Sequence, residues 1–186
     1  MKIIKTNGKE EDFSPQKILN RIKKQGEGLN VDCDVLAQSV IGQIKDGITT
    51  TEIDDIIISE SLGKIIVDSD YSFFASRIAM TRDFRKTNKN RFSFDINKEV
   101  KYDYLAYSTF KKTYQQGKET PQEMYGRIAD YFGETDTEKQ ELFDMLIEKQ
   151  INFATPTTLN AGTGAETFIS CDLSQLESDS LEGTQS

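Results

Sequence analysis

The chain has 186 residues, 23 basic and 31 acidic side chains, a net charge of −8, and neither histidine nor tryptophan. Without histidine, the chain itself supplies no imidazole base, no imidazole metal ligand and no Ser-His-Asp triad. Its two cysteines, Cys33 and Cys171, form no C-x-x-C motif and cannot make a zinc site alone, so we expect no directly bound metal. We find neither a signal-peptide pattern nor an apolar run of about 20 residues, so we expect a cytoplasmic chain that binds no membrane.

The acidic balance is uneven along the chain. The net charge is +1 over residues 1–92, −4 over residues 93–163 and −5 over residues 164–186. Because no segment has a large basic excess, we expect no nucleic-acid partner. One small basic cluster fits either a solvated helix end or a phosphate-binding patch. It consists of Arg82, Arg85, Lys86, Lys89 and Arg91.

The N-terminal residues predict a β-hairpin that leads into a helix. Asn7-Gly8 lies between two short extended runs, and both residues tolerate the positive φ of a tight hairpin turn. Ser14-Pro15 is typical of a helix start, with serine at the N-cap and proline at the first helical position.

Three further helices are expected before about residue 88. The second runs from about residue 34 to residue 45, where apolar residues recur at helical spacing. For the third, Thr51-x-x-Asp54 resembles a capping box, and its apolar positions extend to Ile65 and Ile66. The fourth starts near residue 70.

A polar stretch at residues 87–91 indicates a linker, and a second helical region starts near residue 103. Thr120-Pro121 predicts one helix start in this region, with threonine as the N-cap and proline at the first position. Thr137-x-x-Gln140 predicts the start of another.

The pattern changes after residue 152. The stretch from Phe153 to Gly162 lacks a helical period and contains breakers, whereas Thr167–Leu173 is typical of one short strand. A lone strand leaves its backbone groups unpaired, so we expect its partners to lie outside this chain. The chain is then either a piece of a longer polypeptide or a chain that completes its fold with another. The final small and polar residues, 178–186, are expected to fray.

Three stretches together resemble the N-terminal part of the large, catalytic subunit of ribonucleotide reductase, class I in particular. The order and spacing of the runs make the likeness specific. In chain order the matching runs are Ile4–Gly8, Glu11–Ile18, Asp46–Ile53, Tyr71–Arg85, Tyr104–Tyr107, Phe110–Tyr114, Pro121–Tyr125, Ala154–Thr157, Asn160–Thr163 and Ile169–Cys171.

The resemblance implies a mainly α fold class. Residues 1–90 would form an ATP cone, a regulatory domain built as a β-hairpin cap on four helices. Residues 91–150 would form the helical N-terminal domain of the reductase large subunit. Residues 151–186 would contain the first strand of an α/β barrel that is incomplete here.

The resemblance also implies an allosteric site for ATP and dATP, with Mg²⁺ accompanying the nucleotide. Lys5 would meet phosphate and Glu11 the adenine or ribose, while Lys17, Thr50 and Arg85 would line the site. Backbone amides of a glycine turn and nearby cations suit a triphosphate. The hairpin Lys5–Gly8 departs from the family's commoner Lys-Arg-Asp-Gly and has one cation fewer.

By the same resemblance, Cys171 is a redox-active thiol that forms a disulfide with a second cysteine as the ribonucleotide loses its 2′-hydroxyl. An external dithiol then resets the pair. Thr155 and Ser170 would hydrogen-bond the substrate through its phosphate and ribose. The family's other catalytic cysteines are not in this chain, because Cys171 is its last cysteine. We therefore expect no ribonucleotide reduction by the chain alone.

The expected partners are the remainder of the large subunit, a radical-generating small subunit, a thioredoxin-like or glutaredoxin-like reductant and the ribonucleotide substrate. The product would supply DNA replication. Two other interpretations stay open from the sequence: a stand-alone ATP/dATP-sensing module that acts on a partner protein, and a helical interaction protein that binds no nucleotide. In the last case Lys5, Lys17 and Arg85 are ordinary surface cations, and Cys171 is an inert buried thiol.

Overall fold

The computed structural model of the protein describes residues 1–84, 102–165 and 167–169. In this part the chain is mainly helical with one small sheet, and a hairpin followed by four helices precedes a second helical region, which confirms the predicted fold class. The chain divides into two compact units, Met1–Gly126 and Arg127–Ser186. The domain limits predicted at residues 90 and 150 stay predictions.

Two predicted features fall wholly or mainly outside the described residues. The linker at residues 87–91 lies among the residues that are not described. Of the strand predicted over residues 167–173, only residues 167–169 are described, and these three have no regular secondary structure. The predicted first barrel strand is therefore not seen where the chain is described.

Short strands and eight α-helices make up the described residues. The strands are β1 (Lys2–Ile4), β2 (Glu10–Asp12) and β3 (Ile48–Thr49). The helices are α1 (Pro15–Gly26), α2 (Cys33–Gln43), α3 (Thr50–Leu62), α4 (Asp70–Phe84), α5 (Tyr104–Thr109), α6 (Pro121–Phe132), α7 (Asp136–Ile147) and α8 (Thr155–Asn160). A single π-helical turn, Phe110–Tyr114, continues directly from α5.

The predicted hairpin is confirmed, and it belongs to a three-stranded sheet of order β2-β1-β3. Gly8 has a φ of 79°, and its amide donates to the carbonyl of Lys5, which closes the turn. The third strand was not predicted. It pairs parallel to β1, with Ile4 opposite Thr49.

The first helix starts where the sequence predicts, with Ser14 at the N-cap and Pro15 at the first helical position, although the Ser14 side chain makes no capping hydrogen bond. The predicted capping box of α3 is wrong by two residues. The box is formed by Thr49 and Glu52: the Glu52 amide donates to Thr49 Oγ1 at 3.1 Å, and the Thr49 amide donates to Glu52 Oε2 at 2.8 Å.

Ile65 and Ile66, predicted on the apolar face of the third helix, lie beyond its end at Leu62. Both are exposed, and Ile66 retains 98% of its accessible surface. The helix ends at Gly63, whose amide donates to the Ser59 carbonyl at 3.0 Å. The apolar spacing therefore continues past the end of the helix.

Of the helix starts predicted in the second helical region, that of α6 is confirmed and that of α7 is wrong. Thr120 caps α6 as predicted, because the Glu123 amide donates to Thr120 Oγ1 at 3.0 Å. Helix α7 is capped by Thr135 and Glu138, two residues before the predicted pair. The stretch expected to lack helical structure contains α8, in which Pro156 occupies the first turn, where a missing N–H costs nothing.

Helices α1 to α4 enclose the core of the segment that carries the hairpin. The largest fully buried apolar side chains there come from all four helices and are Ile22, Leu36, Val40, Ile57, Phe74 and Ile78. Ile3 of β1 is 8% exposed. The sheet is thereby packed against the helices and fixes the position of the hairpin relative to the start of α3.

Candidate functional site

Two predicted effector residues, Lys5 and Thr50, lie at the same end of the sheet because strands β1 and β3 are paired in parallel. Ile4 and Thr49 are paired in the parallel strands β1 and β3, so Lys5 and Thr50 each follow a paired residue in the same chain direction. Parallel strands end at the same edge of a sheet. Lys5 therefore lies at the edge where α3 begins with Thr50.

Glu11 joins the two predicted lysines at this edge. Ile3 of β1 is opposite Glu11 of β2, and one Glu11 carboxylate oxygen pairs with Lys5 Nζ while the other accepts from Lys17 Nζ. The Glu11 side chain is 22% exposed, whereas those of Lys5 and Lys17 are 48% and 66% exposed. Three residues predicted for the effector site thus form one cluster, with both cations at the surface.

The first turn of α3 adds a donor to the same edge. The capping box satisfies the amides of Thr49 and Glu52. The amide of Thr51 belongs to the first helical turn, where the backbone has no intrahelical acceptor. This amide and the positive end of the helix dipole favour an anion close to Thr50.

A buried ion pair lies one helical turn beyond the cluster, and sequence reasoning did not find it. Arg21 follows Lys17 by four residues on α1, and Asp54 follows Thr50 by four residues on α3, so each lies on the same helix face as its predecessor. Arg21 Nη2 is 2.9 Å from Asp54 Oδ1, and the Asp54 side chain is only 2% exposed. The available signal was an acid placed directly after Ile53 in an apolar helix.

An open pocket of about 590 Å³ lies beside the other face of α3. Its lining residues include Glu52 and Ile56, which are on the opposite side of the helix from Thr50 and Asp54. The pocket contains none of the predicted effector residues. Its remaining lining comes from the end of α2, the turn that follows and the first residue of β3: Gln43, Lys45, Asp46, Gly47 and Ile48.

Thr155, predicted to bind substrate, is the first residue of α8. The other end of this helix is held by Arg127 of α6, whose guanidinium donates to the carbonyls of Ala161 and, at 3.2 Å, Thr158. Gly162 has a φ of 71° and lies against the Arg127 side chain so closely that a Cβ would be 2.9 Å from Arg127 Cγ. The position of α8 in this unit is therefore set from its C-terminal end.

Three predicted site residues, Arg85, Ser170 and Cys171, lie outside the described residues. Cys33 is a free thiol, and partial burial, followed by the nearby Asp34 carboxylate, raises its pKa above the ordinary value. This agrees with a structural role for Cys33. Among the residues that the structure describes, no group of three or more acidic or cysteine side chains is arranged to hold a metal ion, and no helix is long and apolar enough to cross a membrane.

The chain matches two known protein families in succession. Residues 1–87 match the ATP cone domain, and residues 100–166 match the all-alpha domain of ribonucleotide reductase. The two matches occur in the order and near the positions that the sequence motifs indicated.

The chain is also similar to curated large subunits of ribonucleoside-diphosphate reductases. The chain is 28% identical to the ribonucleoside-diphosphate reductase large subunit of Variola virus (isolate Human/India/Ind3/1967), with 98% of this chain and 30% of the relative covered. It is 27% identical to the large chain from Cryptosporidium parvum, with 98% and 28% covered, and 28% identical to the Danio rerio large subunit, with 98% and 29% covered. The chain thus spans about 30% of the length of these relatives, and the resemblance inferred from its motifs is confirmed.

Proposed function

Because the chain carries the ATP cone and the all-alpha domain of ribonucleotide reductase large subunits, we propose that it binds ATP and dATP as allosteric effectors of such a reductase. The observation that supports this most directly is the cluster of Lys5, Glu11 and Lys17 beside the start of α3. Two exposed cations and a helix N-terminus at one edge form a setting that attracts a triphosphate.

In the proposed site, Lys5 and Lys17 bind the phosphates, and Thr50 lines the site at the start of α3. Glu11 contacts the adenine or the ribose, for which a carboxylate is a suitable acceptor of N–H or O–H donors. Arg85 supplies a further cation. Mg²⁺ enters with the nucleotide and is held chiefly by its phosphates.

We further propose that the chain serves the reductase reaction itself. Cys171 and a second cysteine of the large subunit supply two electrons and two protons. The 2′-hydroxyl leaves as water, hydrogen replaces it, and the two thiols become a disulfide. A thioredoxin-like or glutaredoxin-like dithiol restores them. Thr155 and Ser170 hold the substrate through hydrogen bonds to its phosphate and ribose.

The proposed partners are the remainder of the large subunit and a radical-generating small subunit, in the reducing cytoplasm. The chain alone is inactive in this proposal, since it carries one of the required redox cysteines. Incubation of the isolated chain with ribonucleoside diphosphate, dithiol and small subunit is expected to give no deoxyribonucleotide. Turnover above the level of a chain-free control would contradict this part of the proposal.

Calorimetric titration with ATP and dATP tests the effector site directly. Replacing Lys17 with glutamine removes one charge-assisted phosphate contact, worth on the order of 1.5 kcal/mol, and should weaken ATP binding about tenfold. Lys23→Gln is the matched control, because Lys23 is an exposed, ion-paired lysine on the same helix and contacts Asp34 instead. No binding by the unaltered chain at millimolar nucleotide, or equal losses in both variants, would overturn the effector site.

A further inference from the structure

Asp83, near the C-terminal end of α4, is the centre of a polar network that joins α3, α4, α5 and the π-helical turn. Its Oδ2 accepts a hydrogen bond from Tyr107 Oη of α5 at 2.8 Å and lies 2.6 Å from Lys111 Nζ in the π-helical turn. Its Oδ1 is 3.4 Å from Arg82 Nε. Arg82 in turn donates from Nη1 to Asp55 of α3 at 2.6 Å.

The side chains of the network are largely buried, so each depends on the others for its hydrogen-bond partners. Tyr107 is 3% exposed, and the Asp83 and Arg82 side chains are each 21% exposed. Loss of the Tyr107 hydroxyl would therefore remove a donor from a carboxylate that is largely shielded from water. Although burial alone would raise it, the pKa of Asp83 is lowered by the hydrogen bonds from Lys111 and Tyr107. The carboxylate is the form that these donors favour.

One end of this network reaches α3, the helix that begins with the proposed effector residue Thr50. Asp55 is adjacent in α3 to Asp54, which pairs with Arg21 of α1. The other end reaches α5, within the family match that follows the ATP cone. Arg82 is also the described member of the basic cluster seen in the sequence, and it is engaged by Asp55 and Asp83.

We propose that Asp83 is a coupling residue through which the state of α3 is transmitted to α5, by way of Asp55 and Arg82 on one side and Tyr107 and Lys111 on the other. One part of this proposal, that nucleotide bound beside Thr50 changes the stability of α5, rests on the proposed function. The Asp55-to-α5 connection itself does not require a nucleotide. Coupling between two sites is reciprocal, so a change in α5 also alters nucleotide affinity.

Hydrogen exchange of the α5 amides in the full chain tests the connection without nucleotide. Asp55→Asn weakens the hold on Arg82 and is expected to speed exchange across α5 about threefold, although Asp55 is on another helix. In an Asp83→Asn background the same replacement should have no further effect, since the path is already broken. Unchanged α5 exchange in Asp55→Asn, or fully additive effects of the two replacements, would overturn the proposal.

The second measurement adds ATP and compares two matched variants. Tyr107→Phe removes the hydroxyl that reaches Asp83, whereas Tyr102→Phe removes a hydroxyl that is 2.7 Å from Tyr125 Oη of α6. ATP should slow α5 exchange about fivefold in the unaltered chain and in Tyr102→Phe, but not in Tyr107→Phe. An equal response in both variants would refute the coupling.

The two failures are distinguishable. If titration finds no ATP binding to the unaltered chain, the proposed function fails, while the Asp55→Asn and Asp83→Asn exchange data still decide whether α3 and α5 are connected. If ATP binds but α5 exchange does not respond, the effector site stands and the coupling role of Asp83 is wrong.

Discussion

Arg21 and Asp54 form the buried ion pair behind the proposed effector site, and replacing Arg21 with methionine should be strongly destabilising. Methionine keeps an apolar chain of similar length but removes the cation. At the observed 2.9 Å, the attraction between the two charges is on the order of 5 kcal/mol at an effective dielectric constant of about 20, and desolvation offsets much of it. The net worth of the intact pair is therefore small.

The cost of breaking the pair is a different quantity. In Arg21→Met the Asp54 carboxylate, 2% exposed, loses its cation and stays shielded from water. Removing one partner of such a pair typically costs about 3–5 kcal/mol. Because the Arg21 side chain is 22% exposed and water can approach the gap it leaves, we expect the low end, about 3 kcal/mol.

Urea unfolding followed by far-ultraviolet circular dichroism measures this loss. Lys23→Met is the matched control on the same helix: Lys23 and its partner Asp34 are 51% and 65% exposed, and we expect a change below about 0.5 kcal/mol. In the double variant Arg21→Met, Asp54→Leu no buried charge remains, and most of the stability should return. A loss below about 1 kcal/mol in Arg21→Met, or no recovery in the double variant, would show that Asp54 is solvated and the reasoning wrong.

Three other predictions follow from single contacts. A Cβ on Gly26 would lie 2.6 Å from Cys33 Sγ, so Gly26→Ala should destabilise the chain by about 1–3 kcal/mol in urea unfolding, and adding Cys33→Ala should restore most of the loss. The raised pKa of the Cys33 thiol predicts that, in a Cys171→Ser chain, iodoacetamide reacts with it more slowly at pH 8 than with free cysteine, with a rate that climbs toward higher pH; equal rates would contradict this. The lowered pKa of Asp83 means that its contribution to stability is present above the ordinary carboxyl range and is lost as pH falls through the folded-state value. The stability gap between the unaltered chain and Asp83→Asn should therefore shrink below about pH 4, and a gap constant to pH 2 would refute it.

Apolar spacing was enough to predict most of the helical segments. It was not enough to predict where α3 and α7 start, because two similar capping-box patterns were available for each. For α7 both Thr135-x-x-Glu138 and Thr137-x-x-Gln140 fit a capping box, and the structure uses the first. A glutamate at the third position adds a favourable charge at the positive helix end, which glutamine lacks. This argument does not apply to α3, where the predicted third residue, Asp54, is also an acid; the structure uses Glu52 for the cap, and Asp54 pairs with Arg21.

The third strand could not be predicted by periodicity, because Ile48–Thr49 is two residues long and its pairing partner lies more than 40 residues earlier in the chain. That pairing is what aligns Lys5 with the start of α3. The sequence motifs indicated Lys5, Glu11, Lys17 and Thr50 individually, through resemblance. Their proximity depends on the register of a strand that short sequence windows do not reveal.

Glu11 gives the proposed site a property that follows from its geometry. Its carboxylate contacts both Lys5 and Lys17, so the cluster carries a net charge of one rather than two when no ligand is present. A triphosphate that binds the two lysines competes with Glu11 for their N–H donors, and a carboxylate displaced in this way is available to the sugar or base. The strength of phosphate binding and the contact with the nucleoside are therefore linked through one side chain. A phosphate ligand without a nucleoside displaces Glu11 without giving it a new partner, and for this reason the site should favour a nucleotide over inorganic triphosphate.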